Sequence, residues 1–220
     1  ALDSVAAFRG NVAGTVRINA PRLVAGLLVR DVLPLMAERH PEVTVDIVVE
    51  GRLIDIVSSG FDAGVRLIGS VPRDMVAVPL ARALTFICVA SPAYLDRFGE
   101  PRTPEDLRRH HCIGHRMPSG KLYRWEFERA GQELVIDANG PVVLDDEELM
   151  VDATIEGLGI AYVADWAAEA ALSDGRLRKV LTAWMPPPEE VAVYYPGHRA
   201  VPPALRAFLD IVKGPRKTEP

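Results

Sequence analysis

Cysteine is nearly absent from this sequence: two thiols in 220 residues, Cys88 and Cys112, leave no disulfide framework to staple the fold. Both sit in apolar, strand-like stretches without a pairing spacing, so they read as small buried hydrophobes suited to a reducing compartment. Long apolar runs are also missing, since nothing approaches the roughly 20 residues that a helix needs to cross a bilayer. The opening ALDSVAAFRG lacks the basic start and apolar centre of a secretory signal, which points to the cytoplasm and away from a membrane. Positive charge is in deficit, with 25 Lys and Arg against 30 Asp and Glu for a net charge of -5. A broad phosphate-binding surface needs clustered cations to displace counterions, so direct contact with DNA is not expected of these residues. No GxGxxG, GxxxxGK, GxSxG or HExxH pattern is present, and GLGIA at 157 to 161 is too short for a dinucleotide loop.

What the chain does have is apolar residues, at 49%, enough at this length to bury roughly 70% of the unfolded surface. Their spacing predicts alternating strands and helices. Gly14 to Ala20 reads as a strand, Leu23 to Arg39 as a helix interrupted at Pro34, and Val43 to Glu50 as a second strand. That order favours parallel pairing. A short helix at Leu53 to Ser59 follows, then strands at Asp62 to Arg66, Val76 to Leu80 and Thr85 to Ala90. Ser91-Pro92 and Thr103-Pro104 with Asp106 each open a short helix by capping chemistry. WEFER and ELVID flank Ala130-Gly131 as an antiparallel hairpin, and Asp145 with Glu148 forms a capping box for a helix running to Glu156. A strand at Gly159 to Val163, an Ala-rich helix to Ser173, a strand at Val191 to Tyr195 and a helix at Pro202 to Val212 complete the pattern. Leu2, Val5 and Phe8 repeat like the last turns of an incoming helix.

Three clusters invite chemistry. His110, His111, Cys112 and His115 lack the second ligand pair that a tetrahedral zinc site needs, so no metal is expected. Asp145, Asp146, Glu147 and Glu148 form a carboxylate run that the dipole of a following helix already explains. The arginines are more informative. Arg22 and Arg52 open the first two expected helices, Arg66 ends a strand, and Arg116 leaves the strand that begins the second half. Ligands of open α/β sheets gather at the carboxyl ends of strands, where helix N-termini present free N–H groups. Arginines there favour an anion.

The ordered landmarks GTVRINAP, LPLMAERHPEVTVDIVVEG, GFDAGVRL, ASPAYLDRFGEPRTPEDLRRHHCI, WEFERAG, GLGIAYV, GRLRKVL and PGHRAVPPALRAFLDIV span nearly the whole chain. In this order they resemble the effector-binding domain of LysR-type transcriptional regulators. The resemblance implies an α/β fold of the type 2 periplasmic-binding-protein kind, with two lobes joined by two crossing strands. It assigns residues 1-12 to the end of a linker helix, 13-89 with 191-212 to lobe I, 90-190 to lobe II and 213-220 to a tail. It also implies a small-molecule effector in the cleft between the lobes, a homodimer or tetramer, and DNA contact only through a domain before Ala1.

Carried over by position, the pocket holds Pro21, Arg22, Leu23, Arg52 and Arg66 from the first lobe, with Ser91, Arg116, Met117 and Asp145 from the second. Leu23 stands where many relatives carry Ser or Thr, which shifts recognition of a charged group to the arginines and backbone N–H groups. With no acid, base or nucleophile constellation, neither an enzyme nor a cofactor is expected. The alternative reading on the same fold is a transport-type solute-binding protein.

Overall fold

The structure, a computed structural model, describes residues 12–198 and 200–214. The expected linker-helix residues 1–11 and tail residues 215–220 lie outside that range. In chain order the first elements are β1 (Gly14–Ala20), α1 (Arg22–Asp31), α2 (Leu33–Arg39), β2 (Val43–Val49), β3 (Ala63–Leu67), β4 (Met75–Pro79), β5 (Phe86–Ala90) and α3 (Pro92–Phe98). They continue with β6 (Cys112–His115), β7 (Trp125–Arg129), β8 (Gln132–Ile136), β9 (Val143–Leu144), α4 (Glu147–Ile155), β10 (Ile160–Ala164) and α5 (Asp165–Ser173). The last are β11 (Arg178–Val180), β12 (Val191–Pro196) and α6 (Pro203–Val212). Two units result, one built from residues up to Ala83 and from Glu190 onward, the other from Leu84–Glu189.

The first unit has a five-stranded sheet in the order β2-β1-β3-β12-β4. β1 runs parallel to β2 over its whole length and parallel to β3, while β12 is antiparallel to β3 and β4. The carboxyl ends of β1, β2 and β3 therefore share one edge of the sheet. Val16, Ile18 and Ala20 are buried and β1 packs with α6, whose buried residues include Phe208 and Leu209, while α1 buries Leu27 and Leu28 and packs with β2. Asn19 breaks the polar-out alternation and is also fully buried. The single helix expected from Leu23 to Arg39 is two helices, split at Val32. Pro34 falls in the first turn of α2, where its missing N–H has no intrahelical partner to lose.

The helix expected at Leu53 to Ser59 is not formed. Instead the Asp55 carboxylate accepts the N–H groups of Val57 and Ser58 at 3.0 and 3.2 Å, and Gly60 at φ 72 closes a single turn. Asp side chains compete with a helix for its own donors, and here only Ile56 gains full burial to oppose that. Arg52 thus sits in an irregular stretch after β2 and opens no helix.

In the second unit the sheet order is β11-β5-β10-β6-β9, with β10, β6 and β9 parallel and β5 antiparallel to β10 and β11. β5 is interior to this unit, which the chain enters and leaves at Leu84 and Glu189; their backbones exchange hydrogen bonds at 2.7 Å. The hairpin β7-β8 turns on Ala130 and Gly131, both at positive φ as a tight two-residue turn with a right-handed strand twist requires. Trp125 and Phe127 from the hairpin meet Tyr162, which also stacks on Phe86 and Tyr123. Thr103 opens a short 3-10 turn at Pro104–Arg109, not an α-helix, with its reciprocal capping box to Asp106 in place. α4 is capped by Asp146, whose Oδ1 accepts Glu148 N and Leu149 N at 3.0 and 3.2 Å; the expected cap at Asp145 is corrected by one residue.

Candidate functional site

Arg66, the fourth residue of β3, keeps only 6% of its surface exposed. Its Nη2 donates to Asn19 Oδ1 at 2.7 Å, to the Arg52 carbonyl at 2.8 Å and to the Glu50 carbonyl at 3.0 Å; Nη1 donates to the Val65 carbonyl at 2.7 Å. One guanidinium thus ties together β1, β3 and the segment after β2. Those four acceptors are neutral. Burial lowers the guanidinium pKa, with the Tyr194 and Glu50 side chains acting in the opposite direction. A buried charge with neutral partners is costly and gains most from an anion.

The other first-unit residues expected from the sequence lie at the same edge of the sheet. Pro21 is the N-cap of α1, in extended conformation and with no side-chain cap on the helix. Arg22 is exposed at the first helical position, and Leu23 is half-buried behind it. Arg52 is exposed; its N–H donates to Glu50 Oε1 at 2.8 Å while its carbonyl receives Arg66. All five lie at the carboxyl ends of β1, β2 and β3.

The second-unit residues divide. Arg116 and Met117 follow β6, and Asp145 follows β9, whose Leu144 pairs with His115. Arg116 N donates to the Leu144 carbonyl at 2.7 Å, and its exposed Nη1 reaches the Gly120 carbonyl at 3.3 Å. These three share one end of the sheet. Ser91 does not join them, because β5 runs antiparallel to β10 and delivers it to the end where β6 and β10 begin. Ser91 is buried near Gly157, beyond the far end of α4.

Pattern reading missed three groups. Asn19 and Tyr194 belong to the Arg66 neighbourhood; a polar residue in a strand's buried register was the only signal for Asn19. Glu147 begins α4, and its Oε2 accepts the N–H of Ala164 at 2.8 Å. Burial raises its carboxyl to about 7; the Ala164 N–H pulls the other way and Asp146 adds to the rise. Nearby, burial lowers His115, opposed by Asp145 and Asp146.

The histidine and cysteine run is spread among separate packing roles. His110 Nδ1 lies 3.3 Å from the Tyr94 hydroxyl, which accepts the His111 N–H at 3.0 Å. Cys112 points inward to the Leu107 carbonyl at 3.8 Å, and burial raises its thiol to about 12. Among the described residues no group of three or more His, Cys, Asp or Glu side chains has the placement to hold a metal ion.

Two α/β units, each with a helix starting at the carboxyl ends of parallel strands, define the ligand-binding class of the type 2 periplasmic-binding-protein fold. Solved structures agree on the fold. CrgA, a LysR-type transcriptional regulator from Neisseria meningitidis, superposes with a TM-score of 0.81 at 23% identity, covering 95% of this chain and 70% of that one. The Vibrio cholerae virulence activator AphB gives 0.80 at 24%, covering 93% and 69%.

Residues 9–214 match the LysR substrate binding domain, and the chain belongs to that family. It is 37% identical over 212 residues to the HTH-type transcriptional regulator YcaN of Escherichia coli, covering 96% of this chain and 69% of that protein. The HTH-type transcriptional regulator PgrR of Escherichia coli is 31% identical over 214 residues, 97% of this chain and 72% of that protein. The chain is the effector-binding domain of a LysR-type regulator, and the transport reading is not favoured by relatives that are transcriptional regulators. Among the described residues no helix is long and apolar enough to cross a membrane.

Proposed function

We propose that this domain senses a small organic anion, without transforming it, at the carboxyl ends of β1, β2 and β3. The observation that carries the reading is Arg66: a buried cation held by neutral acceptors, at the sheet edge where α1 also begins, with no side-chain cap on that helix. A carboxylate there gains a charge-assisted bond and meets helix N–H donors. Pro21, Arg22, Leu23 and Arg52 are the proposed surround. Arg116, Met117 and Asp145 are the second unit's candidates, and Ser91 is not carried forward. In the cytoplasm, as a homodimer or tetramer, the full regulator contacts DNA through its helix-turn-helix. The effector shifts the regulator's arrangement only by its differential affinity for the alternatives.

Thermal shift against aliphatic and aromatic acids, each paired with its neutral primary amide, tests this. Acids should raise the melting temperature and amides should not, with the gain reduced at least about tenfold in apparent affinity by Arg66→Lys, which loses the planar fork. Equal stabilisation by an acid and its amide would replace the anion with an uncharged effector. Sedimentation at tens of micromolar tests self-association: a species above monomer mass is expected, and monomer alone would contradict it.

A further inference from the structure

Strand register places four residues in one row across the first unit's sheet. Val48 pairs with Asn19, Asn19 with Gly64, and Gly64 with Tyr194. Directly paired residues share a sheet face, and Arg66, two residues beyond Gly64, lies on it too. Gly64 has no side chain, and the Tyr194 ring occupies the vacated space: a Cβ at position 64 would come 2.6 Å from the Tyr194 hydroxyl. Tyr194 packs in one cluster with Ile56 and Phe61, and Val48, Ile54 and Val57 lie against that cluster.

Three buried polar atoms on this face have no hydrogen-bond partner among the described residues: Asn19 Nδ2, Arg66 Nε and Tyr194 Oη. Asn19 and Tyr194 are 0% and 1% exposed. The Asn19 amide orientation is fixed, because its Oδ1 faces a guanidinium donor at 2.7 Å. Nδ2 and Nε can only donate, so the partner they lack is an acceptor, and the phenol hydroxyl is a third group on this face that can donate to one. A water accepts hydrogen bonds but adds no charge to oppose Arg66 beyond that of the Glu50 side chain. A carboxylate oxygen accepts them and brings the opposite charge. Burial raises the Tyr194 hydroxyl, and the Arg66 charge acts in the opposite direction.

We propose that Asn19 Nδ2, Arg66 Nε and Tyr194 Oη form an oxyanion subsite that takes a carboxylate oxygen of the effector, with Gly64 making room for the phenol. Tyr194 is then a specificity-determining residue, and the proposal rests on the anion-sensing reading above. Acetate is the probe and acetamide its neutral control, read by the Nε–H resonance of Arg66 and by titration. Acetate should shift that resonance and acetamide should not. Tyr194→Phe, which removes only the hydroxyl, should weaken acetate about tenfold or more, the usual scale for one hydrogen bond to a charged group. Asn19→Asp should place an internal carboxylate against Arg66, abolish the acetate response and raise the melting temperature. If Arg66→Lys weakens acetate while Tyr194→Phe changes it less than twofold, the three atoms hold a structural water only: the subsite is overturned and the anion-sensing reading survives. If no acid binds the unaltered protein, both fail.

Discussion

The carboxylate of Glu147, the first residue of α4, accepts the N–H of Ala164, the residue that leads into α5, at 2.8 Å. This bond links two helix starts through a group whose charge is disfavoured. Burial raises the carboxyl from an ordinary 4.5 to about 7, so between those values the folded state holds a proton that the unfolded chain has lost. Stability from this group is complete below pH 4.5 and is lost as pH rises through about 7, on the order of 3 kcal/mol. Burial lowers His115, so its contribution has the opposite sign and is lost as pH falls below 6.5. Urea midpoints at pH 5 and pH 8 for the unaltered protein and Glu147→Gln separate the two. The glutamine keeps an acceptor for Ala164 and should abolish the fall that Glu147 causes. An identical pH dependence in both proteins would refute the assignment.

The cap of α4 is Asp146 and not Asp145. Asp146→Ala should lower stability by about 1 kcal/mol, the ordinary cost of losing an N-cap, whereas Asp145→Ala should leave it nearly unchanged. Thermal melts of the two variants decide it, and equal effects would contradict the capping geometry.

Gly64 and Tyr194 are coupled by volume. Gly64→Ala puts a methyl group 2.5 Å from the ring of a buried tyrosine, and overpacking of this kind costs about 1 to 3 kcal/mol. Gly64→Ala combined with Tyr194→Leu should cost measurably less than the sum of the single changes. Strict additivity would show that the ring yields to the methyl without strain.

Cys88 and Cys112 should be inert in the folded protein. Both are buried and burial raises both thiols, Cys112 to about 12, so iodoacetamide at pH 8 should label neither before unfolding. Mass spectrometry showing stoichiometric labelling of the folded protein within minutes would overturn this.

Much of the fold was legible because its strands carry continuous or alternating apolar runs: Val43 to Val49 and Ile160 to Ala164 are strands for that reason. Turn chemistry was equally readable where backbone geometry demands it, as at Ala130-Gly131. β11 escaped notice, since Arg178–Val180 is three residues long with two exposed cations and exists only by pairing with β5. The turn at Asp55 escaped because helical spacing of Leu53, Ile56 and Val57 is shared by a single turn that an Asp side chain closes. Arg66 was placed at its strand end from the sequence, but its partners Asn19, Glu50 and Arg52 lie 14 to 47 residues away and meet it only through β-sheet register. Ser91 was misplaced for the complementary reason: nothing local states that β5 runs against β10.

The central claim is that a small organic anion is recognised through the buried charge of Arg66. Titration calorimetry of the best-binding acid from the thermal screen, run beside its primary amide on the unaltered protein and on Arg66→Gln, tests it most directly. The acid should bind the unaltered protein at least about tenfold more tightly than the amide, and Arg66→Gln should remove that difference while its circular dichroism spectrum is preserved. An acid that binds Arg66→Gln as tightly as it binds the unaltered protein would contradict the account.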